Sequence, residues 1–181
     1  YESDKQRIML YNLETSEGTD LTANLDQTCY SYAWSDDDSK IFFISPFKGT
    51  REIFVYNFAD NSFKQVTKDV HDINAFELKD GKIYTQEVSM SHPAEVFVYD
   101  ANGEMAQGQQ ISAINTEVLD KVNMGKVEER WIKTTNGEDM LVWVVYPYNY
   151  DSTQTYPALL FCQGGPQDMV SQFWSTRWNF Q

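Results

Sequence analysis

One repeat of roughly 43 residues limits what this chain can fold into more than any other feature. Ile8-Met9-Leu10-Tyr11 returns as Ile53-Phe54-Val55-Tyr56 and again as Val96-Phe97-Val98-Tyr99, with the tyrosines 45 and 43 residues apart. Leu21-Thr22 returns as Val66-Thr67 and, more loosely, as Ile111-Ser112, each 45 residues on. Asp38-Ser39-Lys40-Ile41 returns after 42 residues as Asp80-Gly81-Lys82-Ile83. Three landmarks on one period mark a single supersecondary unit, copied so that each copy hides its apolar face against the next.

Inside a unit, short apolar runs are divided by turn residues. Ser31-Tyr32-Ala33-Trp34 leads into a polar turn over 35–39. Ile41-Phe42-Phe43-Ile44-Ser45 follows, then a break at 46–49, a strand over 52–56 and a fourth run over 63–67. Four strands per unit of this length is the pattern of a β-propeller blade. Unbroken Ile, Phe and Val suit strands covered on both faces. Residues 1–113 are therefore expected to hold about two and a half blades, the C-terminal ones of a ring that needs more to close. The run Ala33-Trp34-Ser35-Asp36-Asp37-Asp38-Ser39-Lys40-Ile41-Phe42-Phe43 resembles the A-W-S-P-D-G-K-x-I-x-F motif of TolB-like and peptidase propellers. Asp36 stands where proline is usual, and Ser39 where the turn glycine falls after one extra residue. A calcium loop at Asp36-Asp37-Asp38 would need alternating oxygen ligands and a later bidentate acid, and neither pattern is there.

Past the repeat, 114–126 reads as a linker with a helical turn. Two strand-like runs, 127–134 and 140–146, flank Asn136-Gly137, a strong hairpin signal. The second run is apolar on both faces, so it should be covered on both, and Pro147 ends it. A buried strand over 156–162 then runs into Gln163-Gly164-Gly165-Pro166. Hydrolases of one large class place backbone N–H donors for an oxyanion at such a turn.

Placed after a propeller, this stretch resembles the entrance to the catalytic domain of the prolyl oligopeptidase family, which includes dipeptidyl peptidases and acylaminoacyl peptidases. That family shows a hairpin about a D-G turn, a strand closing in proline, and then Y-P-l-l-l-x-x-H-G-G-P. Here the matching residues are Asn136-Gly137, Val144-Val145-Tyr146-Pro147 and Tyr156-Pro157-Ala158-Leu159-Leu160-Phe161-Cys162-Gln163-Gly164-Gly165-Pro166. The likeness covers nearly the entire chain. It implies a mainly β protein: propeller blades over 1–113, a linker over 114–126, and the first strands of a truncated α/β-hydrolase domain over 127–181. It also implies a serine peptidase that hydrolyses short peptides through an acyl-enzyme intermediate, its propeller covering the site and limiting substrate size. Post-proline, dipeptidyl and acylaminoacyl cleavage all stay open.

On this resemblance Gln163, Gly164 and Gly165 are the expected oxyanion loop. Gln163 replaces the family's histidine, or the tyrosine of its dipeptidyl peptidase branch, and its amide can still donate a hydrogen bond. The chain shows no G-x-S-x-G and no histidine after His92, so none of the triad is expected in it and the chain alone should be inactive. In the family a later strand separates the hairpin from 159–161, so Leu159-Leu160-Phe161 should lack strand neighbours. No cofactor or metal is implied. The implied partners are a peptide substrate and the remainder of the chain's own catalytic domain. Export to the periplasm or outside the cell is the family expectation, with the cytoplasm as the alternative.

The net charge of −13 argues against nucleic acid and anionic membrane surfaces. Cys29 and Cys162 read as buried small hydrophobes. His71 and His92 read as surface or turn residues. Glu128-Glu129 sits on the hairpin, away from the propeller, so the amine-binding role of the dipeptidyl peptidase acidic pair does not carry over to it. Phe173, Trp174 and Trp178 fall near helical spacing and predict the opening of a helix. The competing reading is a non-catalytic propeller used for protein binding. A carbohydrate-binding module would need Trp34 exposed, and its strand position predicts burial.

Overall fold

The computed structural model describes residues 4–103, 107–162, 164 and 169–181. Where apolar residues run between turn formers, strands form. A first hairpin joins β1 (Met9–Tyr11) to β2 (Gly18–Asp20). A four-stranded antiparallel meander follows: β3 (Tyr30–Trp34), β4 (Lys40–Phe47), β5 (Thr50–Asn57) and β6 (Ser62–Gln65). A second meander repeats it with β7 (Asp72–Lys79), β8 (Lys82–Ser89), β9 (His92–Asp100) and β10 (Gln109–Gln110). The backbone ladder joins the two meanders through one parallel pairing among the described residues, Arg51 with Asp72.

The repeated hydroxyl has a structural duty. Thr22 Oγ1 accepts from Ile8 N (3.1 Å), Thr67 Oγ1 from Ile53 N (2.9 Å) and Ser112 Oγ from Val96 N (2.8 Å). Each unit thus ends by bonding its last residues back to the strand that carries the tyrosine landmark. The turns follow the same logic: Lys48-Gly49 and Asp80-Gly81 both adopt positive φ (51° and 86°, 51° and 71°), as two-residue hairpin turns require. In the 35–39 turn the left-handed residue is Asp38 (φ 57°), not Ser39. Asp37 organises this turn by accepting from Ser35 Oγ and Ser39 Oγ, both at 2.7 Å.

The unbroken apolar runs are explained by stacking on two sides. Ile41, Phe43, Phe54 and Tyr56 face Ile8 and Cys29, while Phe42, Ile44, Ile53 and Val55 face Ile73, Ile83 and Tyr99. Alternate residues of β4 and β5 therefore serve two different neighbours, each fully buried Phe or Ile contributing about 1.5–3 kcal/mol. The expected break at Pro46 is absent. β4 continues through it, because β3 stops pairing at Ile44 and on that side Pro46 has no ladder bond to lose.

Glu95 ties down the start of the linker: Ser112 Oγ, Asn115 N and Asn115 Nδ2 all donate to its carboxylate. The helical turn is α1 (Thr116–Leu119). β11 (Val127–Lys133) and β12 (Asp139–Val145) form the expected hairpin, with Gly137 at φ 88°. One face of β12 meets the 48–49 turn so closely that a Cβ on Gly49 would lie 2.1 Å from Leu141 Cδ2. Trp131, Ile132 and Met140 remain exposed, so cover is incomplete.

Four expectations need correcting. Residues 156–162 form no strand, and Leu159 is fully exposed; a strand exists only through ladder partners, and none of the described strands lies beside this segment. Cys162, within that segment, is exposed, while Cys29 is buried, and both are free. The aromatic tail makes no helix. Ser175 Oγ instead accepts from Arg177 N (3.2 Å) and Trp178 N (2.9 Å), a local alternative to helical bonding. Trp34 is 41% exposed and stacks on Phe58 at 5.4 Å, because the outer surface of β3 meets no further sheet among the described residues.

Candidate functional site

Of the three oxyanion-loop candidates, Gly164 is exposed, and a Cβ added to it would meet nothing within 4 Å. Gln163 and Gly165 lie outside the described residues. Downstream, the chain is knitted to the meanders and the hairpin. Val170 O accepts from Trp143 Nε1 of β12 (2.9 Å). Asp72, first residue of β7, accepts from Ser171 Oγ (2.6 Å) and from Gln172 N (3.2 Å). Gln172 Oε1 accepts from Met90 N (3.2 Å) in the β8–β9 turn. At the end of the tail, Gln181 Nε2 donates to Ser91 Oγ and Gly125 O, and Gln181 Oε1 accepts from Gly125 N. Asp72 is wholly buried, and that burial raises its pKa against the hydrogen bonds of Ser171 and the charge of Arg51, whose Nε lies 4.0 Å away.

A second polar group lies between the meanders. His71 is buried, contrary to the surface position expected from sequence, because its ring fills the gap between two buried acids. Its Nε2 lies 3.1 Å from Glu52 Oε2, on β5, and its Nδ1 2.8 Å from Glu87 Oε2, on β8. Thr50 and Thr67 hydroxyls donate to Glu52, and those of Thr85 and Tyr99 donate to Glu87. Burial alone would push His71 down, yet the hydrogen bonds and charges of Glu52 and Glu87 overcome it and hold the imidazole up at about 10. His71 is therefore an imidazolium clamped between two carboxylates at neutral pH. The same surroundings push Tyr99 up, through burial and then the charge of Glu87. His92, at the start of β9, is half-buried, with its Nδ1 2.6 Å from Pro93 O.

The clamp makes stability depend on pH in a definite direction. The folded value of His71 lies above the ordinary 6.5, so the native state holds the proton more tightly than the unfolded chain. Its contribution is complete below about pH 6.5 and is lost as pH rises through about 10. Urea unfolding at stepped pH should show stability falling across that window in the native protein and a flatter profile in His71→Gln. Identical profiles would refute the clamp.

Among the described residues, no cluster of three or more His, Cys, Asp or Glu is arranged to hold a metal ion. No described helix is long and apolar enough to cross a membrane, which says nothing of strand-built barrels. Sequence reasoning missed Asp72 and misplaced His71. The available signal was that His71-Asp72 opens a unit just after the Thr67 landmark, where side chains point between neighbouring copies.

The stacked meanders and the hairpin share their fold with solved peptidases. Acylaminoacyl peptidase, solved in complex with Z-Gly-Gly-Phe-chloromethyl ketone, superposes with a TM-score of 0.77 at 18% identity, over 98% of this chain and 26% of its own. The β-propeller domain of the Trilobed protease from Pyrococcus furiosus matches 64% of this chain and 34% of its own, with a TM-score of 0.50 and 18% identity. No family model matches the chain. Dipeptidyl-peptidase 5 of Porphyromonas gingivalis is 33% identical over 181 residues, which is 100% of this chain and 26% of that protein. Homologues named dipeptidyl-peptidase 5 thus cover this chain, which spans about a quarter of the length of the curated relatives it matches.

Proposed function

We propose that this chain is part of a serine peptidase that hydrolyses short peptides. In this reading residues 1–113 are the last two and a half blades of a propeller, 114–126 link the domains, and 127–181 open an α/β-hydrolase domain. Gln163, Gly164 and Gly165 form its oxyanion loop. The observation that carries the reading is the likeness to dipeptidyl-peptidase 5 along the whole chain, through the repeat and into Gln163-Gly164-Gly165-Pro166.

The chemistry assigns clear tasks. A serine oxygen bonds to the scissile carbonyl carbon, and the C–N bond breaks as a histidine passes the serine's proton to the leaving amine. Water then cleaves the resulting ester. The loop's part is to hold N–H donors toward the oxygen that turns negative, a contribution of about 3–4 kcal/mol to the barrier for one such donor. A glycine without a Cβ lets backbone come close to that oxygen. The serine, histidine and aspartate belong to other parts of the protein. The meanders supply scaffold and cover.

A fluorophosphonate probe tests the proposal. The full-length protein should be labelled at one serine and should release chromophore from short peptide substrates. Residues 1–181 alone should do neither. An unlabelled full-length protein, or turnover by residues 1–181, would contradict it.

A further inference from the structure

The β11–β12 hairpin leaves a strand edge open. Its bonding alternates: Tyr146 N donates to Lys126 O at one end and Thr134 N to Glu138 O at the other, so the even-numbered residues of β11 bond across to β12. Val127, Glu129, Trp131 and Lys133 therefore turn their N–H and C=O groups outward, and no described strand lies beside them. Of the two strands, β11 is built as the outer one. β12 is an unbroken apolar run from Met140 to Val145, suited to the inside of a sheet, whereas Glu128, Glu129, Arg130 and Lys133 place charge along β11. Yet this edge lacks the usual protections. It has no proline and no bulge from Val127 to Lys133, and Trp131 and Ile132 stand 46% and 44% exposed on it.

We propose that the open edge of β11 is an interface with a second copy of the protein, formed by antiparallel pairing of β11 with itself. The proposal goes beyond the peptidase reading and does not depend on it. A twofold axis makes every contact occur twice, so the edge must match itself. Directly opposite residues must also share a face of the sheet. The registers that keep most of β11 paired are then centred on Glu129, Arg130 or Trp131. Centring on Glu129 or on Arg130 sets two like charges directly against each other, which is unfavourable. Centring on Trp131 brings the two indoles together and sets each Glu129 opposite Lys133 of the second copy. That register uses the outward N–H and C=O groups of Glu129, Trp131 and Lys133, and it leaves the ladder to β12 intact. Two acids and two bases on β11 make the contact locally neutral, which matters in a chain of net charge −13 whose copies otherwise repel.

Sedimentation velocity of the full-length protein tests the interface. The native protein should sediment as a dimer. Glu129→Lys should weaken association about 10-fold or more, since like charges then face each other at both symmetric positions. Adding Lys133→Glu should restore association, because the exchanged charges match again in the Trp131-centred register. Lys133 also bridges Asp139 at 2.7 Å, but both side chains are exposed, so the exchange costs the hairpin little. Trp131→Pro should give a monomer: it deletes an N–H that points away from β12, and the hairpin keeps its own ladder. If Trp131→Pro does not fold, the charge exchange carries the test. A native monomer, as when another part of the protein covers β11, overturns the proposal. A dimer that neither Glu129→Lys nor Trp131→Pro weakens overturns it too, since the contact then lies elsewhere. A loss that Lys133→Glu fails to repair overturns the self-matched register.

Discussion

His71→Leu is expected to destabilise the protein by about 3–5 kcal/mol, the usual cost of removing one partner from a buried ion pair. Glu52 and Glu87 approach the imidazole from opposite sides, at 3.1 and 2.8 Å. Leucine would leave both carboxylates buried without the cation that separates them. The hydroxyls of Thr50, Thr67, Thr85 and Tyr99 would still donate to them, but hydroxyls bring no net charge. The loss should shrink when Glu52→Gln and Glu87→Gln are combined with His71→Leu, because the repulsion then disappears along with the attraction. It should also shrink above about pH 10, where native His71 has given up its proton. Chemical unfolding reports all of these differences. A His71→Leu protein as stable as the native one at pH 7 would mean that the two meanders are held by apolar stacking alone.

Gly125→Ala is the second change with a large effect, at about 2–4 kcal/mol from overpacking and lost hydrogen bonds. A Cβ on Gly125 would stand 1.6 Å from Tyr146 O and 2.8 Å from Tyr146 C. That obstacle is backbone, fixed by the bond from Tyr146 N to Lys126 O (2.9 Å), so it cannot swing aside as a side chain would. Any displacement also pulls Gly125 away from Gln181, whose amide both donates to its carbonyl and accepts from its N–H. The end of the linker, the end of β12 and the tail would loosen together. Gly137→Ala is the fitting control. It meets nothing within 4 Å and carries only the left-handed φ of 88°, costing about 1–2 kcal/mol. Equal melting temperatures for the two variants would show that the close approach at Gly125 has no energetic weight.

Much of the fold was legible in the residues because the information is local. Alternating apolar positions, Asp80-Gly81 and Asn136-Gly137 specify strands and turns within a few residues, and the 43–45-residue spacing of Tyr11, Tyr56 and Tyr99 places them at equivalent strand positions. The candidate site was less legible. Gln163-Gly164-Gly165 stands out as a motif only through resemblance, and Asp72 carries no local mark that would tie it to Ser171. Residues 156–162 read as a strand from their composition, yet composition cannot supply the ladder partner that a strand needs. The tail read as a helix from its spacing, yet one serine hydroxyl offered Arg177 and Trp178 another bond.

By itself, then, the sequence determined the repeating unit, its turns and the hairpin that follows, because those depend on backbone preferences and on which face of a strand is apolar. Tertiary structure alone decided that His71 is a buried cation and that Asp72 grips the tail. Those outcomes depend on which faces of separate units come together, and charges that meet across such a junction are remote from one another along the chain.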